Sequence, residues 1–194
     1  MAKNKGLSFI QKKKRISSET IREIFVTVFY IFVAVLAAFV LVFSFGLKTS
    51  MIGVSMEPTL QNGQKVLINR FVYKLTSPKR GDVIAFLPGG NQNSHYYLKR
   101  VVGLPGETIK IEKGVLYIDS IALAESEQYG KIVNGGVAEN EITLGNDEYF
   151  VLGDNRNNSE DSRFDNIGNV NKNTIIGKVW FSLPYEDGGM GFIE

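Results

Sequence analysis

A chain of 194 residues, 44% of them apolar, has room for one ordinary domain with a core, which excludes a disordered chain. With no Cys, disulfide scaffolds, thiolate metal sites and cysteine nucleophiles are excluded, and a single His excludes a site of several imidazole ligands. The net charge of +2 conceals a split: residues 1–23 hold seven Lys or Arg against two Glu, a balance of +5, so the other 171 residues sum to −3. That mildly acidic body offers no basic surface for phosphates, which argues against a nucleic-acid partner.

From Ile24 to Leu47 the chain carries no charge. At 1.5 Å per residue these 24 residues span about 36 Å of helix, enough for a ~30 Å hydrocarbon core, so the run reads as one transmembrane helix in a lipid bilayer. A cleavable signal sequence competes with this, but its apolar region is about 7 to 15 residues and ends in a small-residue cleavage site. Here the run is longer and bulky Phe43, Phe45 and Leu47 occupy its exit. The cations precede the span and only Lys48 follows closely, so the positive-inside bias makes 1–23 a cytoplasmic tail, 24–47 the anchor and 48–194 an extracytoplasmic domain.

That domain has 18 Gly, which punctuate short runs rich in Val, Ile, Tyr and Phe. The runs predict strands at Lys65 to Asn69, Asp82 to Leu87, Tyr96 to Val102, Thr108 to Glu112, Val115 to Ile118, Glu148 to Leu152 and Ile175 to Leu183. Glu112-Lys113-Gly114 joins two of them as a tight hairpin. No long segment keeps an apolar spacing of three and four, so the expected fold is mainly β after the anchor, a folded barrel or coiled sheets with a weaker insert around Ser120 to Asn140.

Three blocks carry chemistry. In Gly53-Val54-Ser55-Met56-Glu57-Pro58, a serine before Glu-Pro is ordinarily a turn or cap residue, but Ser55 lies only eight residues beyond the span, so even an extended link tethers its hydroxyl within about 29 Å of the membrane. In Tyr97-Leu98-Lys99-Arg100-Val101-Val102, strand alternation places Lys99 and Arg100 on opposite faces; an isolated strand cation is ordinarily a solvated edge residue, but one of these two must lie on whichever face is buried. Of the two, only Lys can lose its proton on desolvation and act as a base. The third block, Gly153-Asp154-Asn155-Arg156-Asn157-Asn158-Ser159-Glu160-Asp161-Ser162-Arg163, fails as a calcium loop because Arg156 and Ser159 stand where an oxygen ligand and Gly are needed. Its polar density suits a hydrogen-bonded scaffold, with Asp161 able to pair Arg163 and Ser159 able to hold an amine.

With these blocks in this order, the chain resembles the bacterial type I signal peptidases, membrane-bound Ser/Lys endopeptidases. The matching runs are GVSMEPTL, KRGDVIAF (Lys79 to Phe86), YLKRVVGLPGE (Tyr97 to Glu107) and GDNRNNSEDSR (Gly153 to Arg163). The resemblance implies that Ser55 is the nucleophile and Lys99 the base, that Ser159 positions the lysine amine, and that Asp154, Asp161 and Arg163 support the site. It also implies a catalytic domain of two antiparallel sheets, no metal or cofactor, and signal-peptide-bearing preproteins as partners, cut after small-x-small (Ala-x-Ala) sites. Some members carry a hydroxyl residue two places before the nucleophile as an oxyanion donor; here that place is Gly53, so the donors expected are the Ser55 amide and, second, the Gly53 backbone. Leu104 to Leu152 is also short beside members with a large accessory domain.

Two further features qualify this expectation. His95 is a rival base, at the end of a Gly/Asn-rich loop expected to be solvated. Ala122-Leu123-Ala124 matches the small-x-small pattern inside the domain itself, which raises self-cleavage between Ala124 and Glu125 as a possibility to test.

Overall fold

The computed structural model describes residues 17–91, 93–125, 129–186 and 189–193. The chain divides after Val40 into an N-terminal unit and a larger unit from Leu41 onward.

The N-terminal unit is built on one helix, α1 (Ser18–Phe45), whose stretch Ser18–Phe43 contains 18 residues of mean hydropathy 2.9 and is long and apolar enough to cross a membrane. It differs from the expected 24–47 at both ends. Ser17 caps the start, its hydroxyl accepting from Thr20 N–H at 3.2 Å, so the helix begins ahead of Arg22 and Glu23, which a charge-free criterion had left out. Leu47 is not helical: it opens strand β1 (Leu47–Ser50), which pairs with β2 (Lys65–Asn69).

The larger unit is antiparallel β. After β2 come a single-turn helix α2 (Val72–Leu75), then β3 (Val83–Phe86), β4 (Tyr97–Gly103), β5 (Thr108–Glu112), β6 (Val115–Ile118), β7 (Ile121–Ala122), β8 (Ile142–Thr143), β9 (Glu148–Leu152), β10 (Val170–Asn171), β11 (Ile175–Ser182) and β12 (Gly191–Phe192). Among the described residues these form two sheets: one in the order β1-β2-β11-β3-β4-β9-β10, with β12 also on β11, and a smaller one in the order β7-β6-β5-β8. The seven expected strands all form, within about a residue at each end. The β5–β6 hairpin turns on Lys113 and Gly114, both at positive φ (51° and 81°), the geometry that matches strand twist in a two-residue loop.

Three hydrophobic clusters meet at β4. Leu98 belongs to the one built with Met51, Met56, Leu60 and Val83; Val101 to the one with Ile84, Phe86, Tyr149 and Val151; and Val102 to the one joining Phe150 and Leu152 to the small sheet through Ile109 and Leu116. β4 is therefore covered on both faces. Lys99 is 4% exposed and Arg100 6%, so not one but both of these cations lie on a covered face. Alternation assigns faces correctly but does not say how many of them are covered.

Candidate active site

Ser55 sits half-buried in the turn after β1. Two large side chains pin that turn: Met56 and Leu60 are fully buried in the first cluster, and Leu60 N–H donates to Met56 O at 2.9 Å. Anchoring of the adjacent Met56 and of Leu60 limits the freedom of the Ser55 backbone that carries the hydroxyl. Gly53 precedes it at φ +80°, in the left-handed region that favours glycine. Its N–H donates to Asn62 Oδ1 at 2.9 Å, so the amide expected as a second oxyanion donor is already engaged. Among the described residues the Ser55 N–H has no hydrogen-bond acceptor.

Lys99 lies opposite Ile84 in the β3–β4 ladder, and its Nζ is 2.6 Å from Ser55 Oγ, donating to it. Burial pulls the amine down from 10.5 to about 8; the carboxylates of Asp161, Glu160 and Asp154 oppose the shift, and Arg163 reinforces it. Such an amine is neutral often enough near pH 8 to accept a proton from the hydroxyl it touches.

The loop 153–163 after β9 supplies the scaffold. Asp161 is fully buried and held bidentately by Arg163, Nε to Oδ1 at 2.8 Å and Nη2 to Oδ2 at 2.9 Å. Its Oδ2 also accepts from Gly153 N–H at 3.0 Å and from Ser159 Oγ at 2.7 Å. The structure thus brings Ser159, Asp161 and Arg163 together, and among the described residues the hydrogen bond of Lys99 Nζ is the one to Ser55 Oγ. Asp154 makes a second buried bidentate pair, with Arg100 Nε at 2.8 Å and Nη2 at 2.7 Å, and accepts from Thr59 Oγ1 at 2.6 Å. Through Thr59 it ties the Ser55 turn to β4.

Three contributors lie outside the set expected from sequence. Asn155 N–H donates to Ser55 O at 3.1 Å and Asn155 Nδ2 to Val54 O at 3.2 Å, fixing the backbone of the nucleophile itself. Gly153 permits this contact: a Cβ there would stand 2.2 Å from Ser159 Oγ and 2.4 Å from Ser55 O. Arg156, 1% exposed, donates to Gly153 O at 3.1 Å, pairs both terminal nitrogens with Glu125 and lies 4.7 Å from the Tyr129 ring centroid. A glycine and an asparagine within a polar run carry no periodic signal, and the partner of Arg156 lies 31 residues away.

Ser55 and Lys99 open onto a cleft of about 380 Å³. Met51, Ile52 and Val54 give it an apolar wall, and Tyr97, His95 and Glu160 line it as well. His95 is exposed on that wall, and the hydrogen-bonded partner of Ser55 Oγ is Lys99. Of the internal Ala-x-Ala segment, Ala122 is paired with Tyr117 in the β6–β7 ladder, Leu123 N–H donates to Leu116 O at 2.8 Å, and Glu125 is held by Arg156.

The family model described as signal peptidase, peptidase S26, matches residues 21–183. Among curated relatives, signal peptidase I P of Bacillus subtilis subsp. natto is 35% identical over 134 residues, covering 64% of this chain and 70% of the relative. A probable signal peptidase I-2 of Synechocystis is 33% identical over 137 residues, and here the match spans 57% of the relative's length. Signal peptidase I of Pseudomonas aeruginosa is 33% identical over 181 residues, 67% of this chain and 63% of that one. A crystal structure of a signal peptidase I from Enterococcus faecalis V583 is 31% identical and covers 53% of this chain and 96% of that one, with a TM-score of 0.41.

Proposed function

The chain belongs to the signal peptidase family, peptidase S26, and on that premise we propose that it is a membrane-bound serine endopeptidase that removes N-terminal signal peptides from exported preproteins after Ala-x-Ala sites. The observation that carries this is the 2.6 Å contact between Ser55 Oγ and the buried amine of Lys99. The membrane is a bacterial cell membrane crossed once by α1, with residues 1–23 cytoplasmic and the β domain outside. No cofactor enters the reaction.

In its neutral form Lys99 accepts the Ser55 proton as Oγ attacks the scissile carbonyl. The Ser55 N–H donates to the oxyanion that develops. Lys99, now an ammonium, returns the proton to the leaving amine and then, neutral again, takes one from the water that releases the acyl group. Asp161, gripped by Arg163 and Ser159, biases the amine toward its charged form, while Arg163 and burial bias it toward the neutral one. The apolar wall of Met51, Ile52 and Val54 suits the small uncharged side chains of an Ala-x-Ala segment.

The test is cleavage of a signal-bearing preprotein by purified enzyme beside Ser55→Ala, Lys99→Ala and His95→Ala. The first two are expected to be folded and inactive and the third active. Turnover by either of the first two above background, or loss of all activity in His95→Ala, rejects the Ser/Lys assignment.

A further inference from the structure

The proposed reaction makes no use of one carboxylate in the cleft. Glu160 is exposed and lines the same cavity as Ser55 and Lys99. It does not swing free: it accepts from Asn166 Nδ2, and burial with the nearby Glu160 charge raises the pKa of the Tyr97 hydroxyl. Tyr97 shares the strand face of Lys99, and its ring centroid lies 5.6 Å from the lysine nitrogen. A negative charge is thereby held in the wall of a cleft that Met51, Ile52 and Val54 also line. Asp161 and Arg163 already hold the scaffold around the amine, from inside the protein, where substrate does not reach.

We propose that Glu160 is a specificity-determining residue that makes the cleft selective for charge, disfavouring an acidic and favouring a basic side chain in the substrate residue bound beside it. The inference rests on the peptidase reading above and deepens it: small side chains are selected by the apolar wall, and the residue flanking them is selected by sign. Two unit charges about 6 Å apart in water alter binding about threefold in either direction, so exchanging Asp for Lys at that residue changes kcat/KM about tenfold at low salt. Screening reduces the effect as the Debye length falls from about 10 Å at 0.1 M toward 3 Å at 1 M. Glu160 also acts on the charge of Lys99, but this influences every substrate alike and cancels in a ratio of two substrates.

The experiment uses the full chain in neutral detergent and peptides with one Ala-x-Ala site. A guest residue, Asp, Asn or Lys, is moved through the positions on either side of the small residues. At one position or two adjacent ones, wild type is expected to cut the Lys peptide about tenfold better than the Asp peptide at low ionic strength, falling to about twofold or less in 1 M NaCl. In Glu160→Gln the ratio should collapse to below twofold, and in Glu160→Lys it should invert. An unchanged ratio in both variants, with the Asn peptides still cut, overturns the role of Glu160 alone. Failure of wild type to cut any Asn peptide overturns the peptidase reading and this inference with it.

Discussion

Burying an ammonium removes hydration that neighbouring carboxylates replace only in part, and Lys99 shows the balance. Desolvation lowers it to about 8 against the pull of Asp161, Glu160 and Asp154, with Arg163 adding to the fall. Only the neutral amine is a base, so kcat/KM should rise with pH through about 8. A rising limb near 10.5 would show a solvated amine. Lys99→Arg should be inactive across that range, since a guanidinium stays protonated. The same burial costs stability. Below about 8 the amine is charged in folded and unfolded chains alike and the penalty is fully present; between about 8 and 10.5 the unfolded chain binds the extra proton, so stability rises with pH. Lys99→Met keeps the length of the side chain and removes the charge. It should be more stable than wild type at pH 6 by about 1–3 kcal/mol. Denaturant titrations should show that gap closing toward pH 10; a less stable variant at pH 6 would mean that the surrounding carboxylates outweigh desolvation. Ser55 and Lys99 are legible in the sequence because their types and surroundings are chemically restricted. The engagement of the Gly53 amide by Asn62 is not, because a side-chain to backbone hydrogen bond across a turn leaves no pattern.

The elements differ in how openly the sequence declares them. β5 and β6 are bounded by a turn whose Lys-Gly pair takes positive φ, and both fall where the alternation puts them. β7, β8, β10 and β12 are two residues long, below the length at which a period of two can be recognised, and exist because a longer partner strand offers its edge. The loop 153–163 is the reverse case: its polar composition reads as a turn, yet Asp154, Arg156, Asp161 and Arg163 are almost completely buried. Arg156 links this loop to the end of the segment after β7 through Glu125, and that link bears on self-cleavage. Proteolysis needs an extended, accessible stretch, whereas Leu123 is tied to β6 and Glu125, the residue after Ala124, is held by a buried guanidinium. Aged, concentrated wild type should therefore yield little fragment ending at Ala124. Glu125→Gln weakens the clamp while keeping an acceptor for Arg156, and should accumulate that fragment severalfold faster. Mass spectrometry beside the Ser55→Ala, Glu125→Gln double variant decides the origin: a fragment that persists without Ser55 is not the product of self-cleavage.

For the whole molecule, the distribution of charge matters more than its total. The +5 of residues 1–23 precedes the charge-free run Ile24 to Leu47, and the −3 of the remainder follows it. Orientation follows the Lys and Arg close to the span, not net charge: seven precede it, whereas the first 18 residues after Leu47 hold two, Lys48 and Lys65. The helix extends to Ser18 and so includes Arg22 and Glu23 near its N-terminal end. The expected orientation has a direct readout in right-side-out vesicles carrying the full chain with an epitope tag ahead of Met1. Added protease should remove residues 48–194 while the tag and α1 survive as one membrane-protected fragment, and detergent should then expose the tag to digestion. Replacing Lys12, Lys13, Lys14 and Arg15 by Gln leaves three cations before the span, Lys3, Lys5 and Arg22, and should raise the share of chains whose tag is cut without detergent. A protected β domain in wild type would reverse the assignment, and would place the cleft of Ser55 and Lys99 on the side from which exported preproteins depart.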